Sequence, residues 1–171
     1  MLGNGSYFMS YCKFNNNHLE GIKVQKEEII KRLNWFYSLE HNQVDLYTTQ
    51  SKNTDNLYIK KTFARISLIE QKHVNMIADK IKELGGTPTL LGNVIGSLSG
   101  RITGKLTGKT DMTNLLKLNI KLEEKAMQDY KQFISSVEKN EDLSELLWSN
   151  LIDEDLHKAW FYSKIDDLKK N

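Results

Sequence analysis

Six side chains in this sequence have the types and spacing to hold two metal cations. The first half of the chain carries Glu40, then Tyr47, then Glu70-x-x-His73, and the second half carries Glu123, then Tyr130, then Glu154-x-x-His157. The Glu-to-Tyr interval is seven residues in both halves, and the Glu-to-Glu interval is 30 in one and 31 in the other. Seven residues are two helical turns, so each tyrosine shares a face with its glutamate, and Glu and His three apart share a face as well. Buried carboxylates are costly when unpaired, and four of them together repel one another. Two divalent or trivalent cations remove that cost, because they are counter-charges as well as ligand acceptors. Glu40, Glu70, Glu123 and Glu154 would then supply oxygens, two of them bridging, while His73 and His157 would each give one nitrogen. A carboxylate-rich set with only two nitrogens suits iron or manganese better than copper or a thiolate-binding metal. Two iron ions are the expected cofactor, with manganese as the other ion the set would accept.

A single Glu-x-x-His pair on a helix arises easily by chance and is often only an exposed polar seam. Two such pairs, each preceded by a Glu and a Tyr at matching intervals, point to a dinuclear site. Glu124 is the rival to Glu123, and Glu123 is preferred because only it keeps the seven-residue interval to a tyrosine. Tyr47 and Tyr130 are the candidate catalytic residues beyond the ligands, placed to hydrogen-bond ligating carboxylates or to restrain oxidising species. Their alternative is a place in the core with the hydroxyls satisfied locally. His18 and His41 fall outside the pattern, and Trp35, Trp148 and Trp160 are expected to pack rather than contact a cofactor.

Long amphipathic helices must present these residues. Ile29, Leu33, Phe36, Glu40, Val44 and Tyr47 recur every three or four positions and predict a helix over about 25–51. A second, over about 55–84, carries Ile59, Phe63, Ile66, Glu70, His73, Ile77 and Ile81, and stops at Gly85-Gly86 before Pro88. The third begins near Thr110 or Asp111. The fourth follows Asn140, a candidate cap, and each of the four must bury its stripe against the others. The expected fold is all-α, a four-helix bundle with a long crossover connection containing a short glycine-rich helix. That connection, "GNVIGSLSGRITGKLTG", spaces Gly92, Gly96, Gly100, Gly104 and Gly108 four apart. Glycine costs a helix roughly 1 kcal/mol per position relative to alanine, so these need close packing or a lipid surface to compensate. Residues 1–24 show no sustained period and are expected to form an N-terminal arm, leaving 25–171 as the bundle domain.

With 24 basic against 22 acidic residues mixed along 171, the chain has no concentrated basic face, and no nucleic-acid partner is expected. One cysteine, Cys12, gives no internal disulfide and no structural zinc site. No signal peptide or membrane-spanning run is evident, so a cytoplasmic setting is expected, with peripheral membrane contact through residues 90–108 as a variant of it.

At the six ligands the sequence resembles the ferritin-like di-iron carboxylate superfamily, over roughly residues 25–168. Its Glu-x6-Tyr elements are similar to those of rubrerythrin-like proteins, but Ala126 stands where an erythrin-type site carries a further carboxylate, and the cysteines of an iron–sulfur module are absent. The glycine-rich connector after Pro88 resembles that of the demethoxyubiquinone hydroxylase family. That resemblance implies a di-iron monooxygenase activating dioxygen, fed by an external electron donor and reaching a lipid-soluble substrate from the membrane surface. The alternatives are rubrerythrin- or ferritin-like peroxide reduction or ferroxidase activity, and a non-enzymatic metal-bound helical protein. A di-iron oxidoreductase is the expected class, with dioxygen or peroxide as its partner, and a homo-oligomer is compatible with each reading.

Overall fold

In a computed structural model, the backbone is described for residues 5–92, 94, 109–137 and 140–170, and the side chains for 25–92, 94, 112–137 and 140–170. The described residues form four helices: α1 (Gly5–Lys52), α2 (Leu57–Glu83), α3 (Lys109–Val137) and α4 (Glu141–Lys170). Among the described residues there is no strand. The fold is the all-α four-helix bundle that the apolar stripes require.

Helix pairing follows from which residues meet. Thr48 hydrogen-bonds Ser67, and the Ser51 hydroxyl donates to the Lys60 carbonyl, so α1 and α2 run antiparallel as a hairpin. Tyr130 meets Asn150, and His157 lies near Glu123, which makes α3 and α4 a second antiparallel hairpin. Across the bundle, Tyr47 meets Glu123 while Tyr130 meets Glu40, so α1 also opposes α3. Since α2 and α3 both oppose α1, they are parallel to each other. The chain leaving α2 must therefore travel back along the bundle before α3 can begin. At 27 residues, α2 is roughly 40 Å long, a distance only a long connector can return over.

Local chemistry sets the helix ends. The Asn56 side chain accepts from the Ile59 N–H at the start of α2, and Asn140, the expected cap, accepts from the Leu143 N–H at the start of α4. Gly85, at φ +73°, ends α2; its N–H donates to Lys82 and that of Gly86 to Ile81, closing the last carbonyls. Gly86 lies so close to Ile30 that a Cβ there would sit 2.8 Å from the isoleucine methyl. From this point the connector runs along α1, held by three side chains one turn apart. Asn34 accepts from the Thr89 N–H, Ser38 from the Leu91 N–H and Asn42 from the Val94 N–H. These bonds satisfy backbone groups that an extended segment lying on a helix would otherwise leave open. Gly92 sits in a bend at φ +84°, so the connector is not helical where it begins. The remaining glycines, at 96, 100, 104 and 108, and the short helix expected to carry them lie outside the described residues.

Helix α1 begins twenty positions before the predicted residue 25. Because Gly86 packs on Ile30, α2 finishes opposite that part of α1. The apolar period that pairing with α2 demands therefore starts only there, while no proline interrupts the helix upstream. The boundary proposed at residue 24 between an arm and the bundle falls inside this helix. The side chains of Tyr7, Phe8, Tyr11, Phe14 and His18 lie outside the described residues.

The core runs the length of the bundle, from Leu33, Phe36, Phe133 and Leu143 through the centre to Phe63, Leu116 and Phe161. Trp35 and Trp160 pack against it, as expected. Trp148 does not. It is 49% exposed and lies on the outer face of α4 with Ile152 and Leu156, one position beyond the buried Leu147. Among the described residues no helix is long and apolar enough to cross a membrane.

Candidate metal centre

Halfway along the apolar core lies a layer of charge. Glu40, Glu70, Glu123 and Glu154 have no solvent exposure, and His73 and His157 retain 1% and 4%. At this level α1 and α3 each turn one glutamate inward and α2 and α4 each turn in a Glu-x-x-His pair, so the four helices bring all six side chains to one place.

They fall into two overlapping groups. Glu40, Glu70, His73 and Glu154 each offer a ligand atom within 4.8 Å of the others, and so do Glu70, Glu123, Glu154 and His157. Glu70 and Glu154 belong to both. The Nδ1 atom of His73 is 3.1 Å from Oε2 of Glu70, 3.5 Å from Oε1 of Glu154 and 3.6 Å from Oε2 of Glu40. The Nδ1 atom of His157 is 3.2 Å from Oε1 of Glu70, 3.3 Å from Oε2 of Glu154 and 3.9 Å from Oε1 of Glu123. Each shared carboxylate thus turns one oxygen to each imidazole, the disposition a carboxylate needs to span two cations. Glu40 and Glu123 each serve one group alone. All six residues singled out in the sequence are brought together. Glu124 is exposed and accepts from the Tyr162 hydroxyl, which removes it as a rival to Glu123. His41 stacks edge-on against Tyr37, away from the cluster.

Both tyrosines reach the cluster, but each crosses to the other hairpin. The Tyr47 hydroxyl donates to Oε1 of Glu123, and the Tyr130 hydroxyl donates to Oε1 of Glu40. Burial and the facing carboxylates, Glu123 for Tyr47 and Glu40 for Tyr130, push both phenols well above their ordinary range, so they remain donors.

Several supporting residues were missed in the sequence. Gln43 donates to Oε2 of Glu123 at 3.0 Å, and Asn150 donates to the Tyr130 oxygen at 3.1 Å. Asp153 places Oδ2 3.1 Å from Nε2 of His73. One layer further along, Gln50 and Asn119 exchange two amide hydrogen bonds between α1 and α3. None of these residues has a like partner in the other half, so the duplication that exposed the ligands could not expose them. A buried polar residue within an apolar stripe was the remaining signal.

Without cations, protons must balance the charge. Burial and the nearby Glu154 push the Glu40 carboxyl up to about 8, and burial with the same neighbour raises Glu123 well above the carboxylate range. Burial works against a charged His157, yet Glu154 and Glu70 outweigh it and raise the imidazole to about 10. For His73 the burial penalty is overcome by Glu154, Glu40 and Glu70, which hold it far above its ordinary value. Burial opposes the charged form of Glu154 too, but the adjacent His157 and His73 imidazoles keep it well below the carboxylate range. Even so, Oε2 of Glu40, Oε1 of Glu70 and Oε1 of Glu154 are buried without a hydrogen-bond partner. These are the oxygens directed at the imidazole Nδ1 atoms, where a cation would satisfy them. The residues present therefore fit a pair of hard to intermediate metal ions.

Residues 30–171 match the family model of the ferritin-like domain. The chain belongs to the ferritin-like family. Curated proteins give no match to its sequence. Among solved structures, this ferritin-like chain is similar to Desulfovibrio desulfuricans bacterioferritin, studied with its diiron site in different catalytic states. The TM-score is 0.70 at 19% identity, covering 86% of this chain and 83% of that one. It is similar also to a dodecameric thioferritin, the bacterioferritin-related protein of Bacteroides fragilis, with a TM-score of 0.69 at 19% identity over 85% of this chain and 88% of that one. At such identity the likeness is one of fold. The ferritin-like part of the resemblance seen in the sequence is thereby established, and its finer assignment to the demethoxyubiquinone hydroxylases gains no support.

Proposed function

We propose that the chain is a di-iron oxidoreductase of the ferroxidase or peroxide-reducing kind. The observation that carries this reading is the pair of carboxylates, Glu70 and Glu154, each turning one oxygen to each of two inward-facing imidazoles. When bound, two ferrous ions would supply two electrons for the reduction of dioxygen or peroxide. Manganese would fit the same donors.

The chain's own residues define what surrounds that chemistry. Glu70 and Glu154 would hold the two ions at a fixed separation, while Glu40 with His73 and Glu123 with His157 would complete one ion each. Four carboxylate charges balance two divalent cations, so loading would displace the protons now held at Glu40 and the imidazoles. Tyr130 orients Glu40 by donating to Oε1 and leaving Oε2 free, while Tyr47 and Gln43 together hold Glu123 by donating to Oε1 and Oε2. Phe36 and Phe133 stack on one side of the layer with Tyr130, and Phe63 and Phe161 lie beside Tyr47 on the other, keeping water out.

Two bacterioferritin-related folds among the similar structures favour this reading over hydroxylation. One observation speaks for the hydroxylase reading. Leu90 and Leu91 are 56% and 53% exposed where the connector begins, as a lipid-touching segment would require. Protein loaded with ferrous iron without oxygen and then given hydrogen peroxide or dioxygen separates the outcomes. Rapid oxidation of two ferrous ions per chain with no organic substrate present supports the ferroxidase or peroxidase reading. A pair that oxidises only when a quinone-like substrate and vesicles are added supports hydroxylation, and a loaded pair inert to both oxidants contradicts the two together.

A further inference from the structure

The two imidazoles enter the site alike and leave it differently. Each presents Nδ1 to the carboxylates, which leaves Nε2 to carry the proton whenever Nδ1 binds a cation. Nε2 of His73 is 3.1 Å from Oδ2 of Asp153, a side chain 28% exposed. Nε2 of His157 is buried and has no hydrogen-bond partner. The reason is written in the register of the helices. Asp153 immediately precedes Glu154 on α4, and the residue immediately preceding Glu70 on α2 is Ile69. The hairpins repeat the ligands but place a carboxylate behind one histidine and an aliphatic side chain at the matching position for the other.

We propose that Asp153 is a positioning residue that makes the two metal positions unequal, so that the cation beside His73 and Glu40 binds first and most tightly. The inference rests on the dinuclear reading of the site. A carboxylate accepting the Nε2–H fixes the tautomer with the Nδ1 lone pair turned inward and makes that nitrogen more basic. Partners of this kind typically change metal affinity by about 10- to 100-fold. His157 must instead bind its cation while leaving a buried N–H unpaired, which disfavours loading of that position. The chain would then hold one resident ion and one that exchanges, a division the symmetric ligand set does not by itself produce.

Cobalt(II) added to the metal-free full-length chain tests this, with calorimetry following binding and visible absorption following occupancy. The wild-type protein should bind two ions in separate steps differing by about 10- to 100-fold. At one equivalent, anomalous scattering from crystals should place the ion beside His73. Asp153→Ala should weaken the first step until the two nearly merge, leaving the second step within about threefold of wild type, and Asp153→Asn should fall between. Circular dichroism identifies any variant that fails to fold; in that case the crystallographic position of the first ion in the wild-type protein decides. Two steps of equal strength, a first ion beside His157, or an Asp153→Ala variant that weakens both steps equally overturn the inference and leave the dinuclear reading standing. Failure of the wild-type protein to bind any ion in the bundle overturns both.

Discussion

The α1–α2 and α3–α4 hairpins carry the same candidate ligands and different supports. In each, one helix gives a glutamate and, two turns on, a tyrosine, and the other gives Glu-x-x-His. Around that shared frame the hairpins diverge. One turn after Glu40 comes Gln43, which donates to Glu123, whereas one turn after Glu123 comes Ala126. Before Glu154 come Asn150 and Asp153, bonded to Tyr130 and His73, and at the matching positions before Glu70 stand Ile66 and Ile69. The lesson is that the candidate ligands repeat symmetrically while the hydrogen bonds around them differ between the two groups.

The largest test of the shared frame is removal of a bridging carboxylate. Glu70→Ala or Glu154→Ala should abolish binding of both ions, because each glutamate serves both groups; metal analysis after dialysis reads this directly. Retention of one ion in either variant would break the equivalence of the bridges. Next in size, His73→Ala and His157→Ala should each retain one ion per chain, since each imidazole belongs to a single group.

A smaller effect sharpens the electrostatic side of the comparison. In the metal-free protein, Glu40 is raised to about 8 and His157 to about 10, both above their unfolded values. Groups shifted in that direction contribute stability that is complete below the unfolded pKa and is lost as pH rises through the folded one. The metal-free melting temperature should therefore fall between about pH 5 and pH 10, while the loaded protein, whose cations replace those protons, should change much less. Parallel thermal melts with and without metal check it. The opposite order, with the loaded protein the more sensitive, would contradict the charge balance drawn for the cluster.

The smallest expected difference separates the tyrosines. Tyr130→Phe strips Glu40 of its donor and Asn150 of its acceptor, whereas Tyr47→Phe leaves Glu123 with the Gln43 hydrogen bond. Unpaired buried groups cost about 1–3 kcal/mol each, so Tyr130→Phe should destabilise the metal-free protein more than Tyr47→Phe in denaturant unfolding. Equal losses would show that Gln43 contributes nothing to holding Glu123.

The bundle and its ligands were legible because both are periodic. Apolar positions at helical spacing marked the four stripes, and the repeated Glu, Tyr and Glu-x-x-His marked where those stripes turn polar. Asp153, Gln43 and Asn150 were not legible, since each occurs in one half only and a lone polar residue on a helix usually faces water. The crossing of Tyr47 to Glu123 and of Tyr130 to Glu40 was hidden for another reason. Sequence spacing relates residues along one helix, while these contacts depend on α1 opposing α3. The upstream extension of α1 was missed because a helix there need not carry an apolar stripe once α2 has ended.

The central claim is that six side chains from four helices hold two cations inside the bundle. Crystals of the full-length chain grown with ferrous iron or manganese, measured by anomalous diffraction at the metal edge, address it most directly. Two peaks about 3.5–4 Å apart, both bounded by Glu70 and Glu154 with His73 and His157 on opposite sides, are expected. No peak within the bundle, or metal bound only at surface carboxylates, would contradict it.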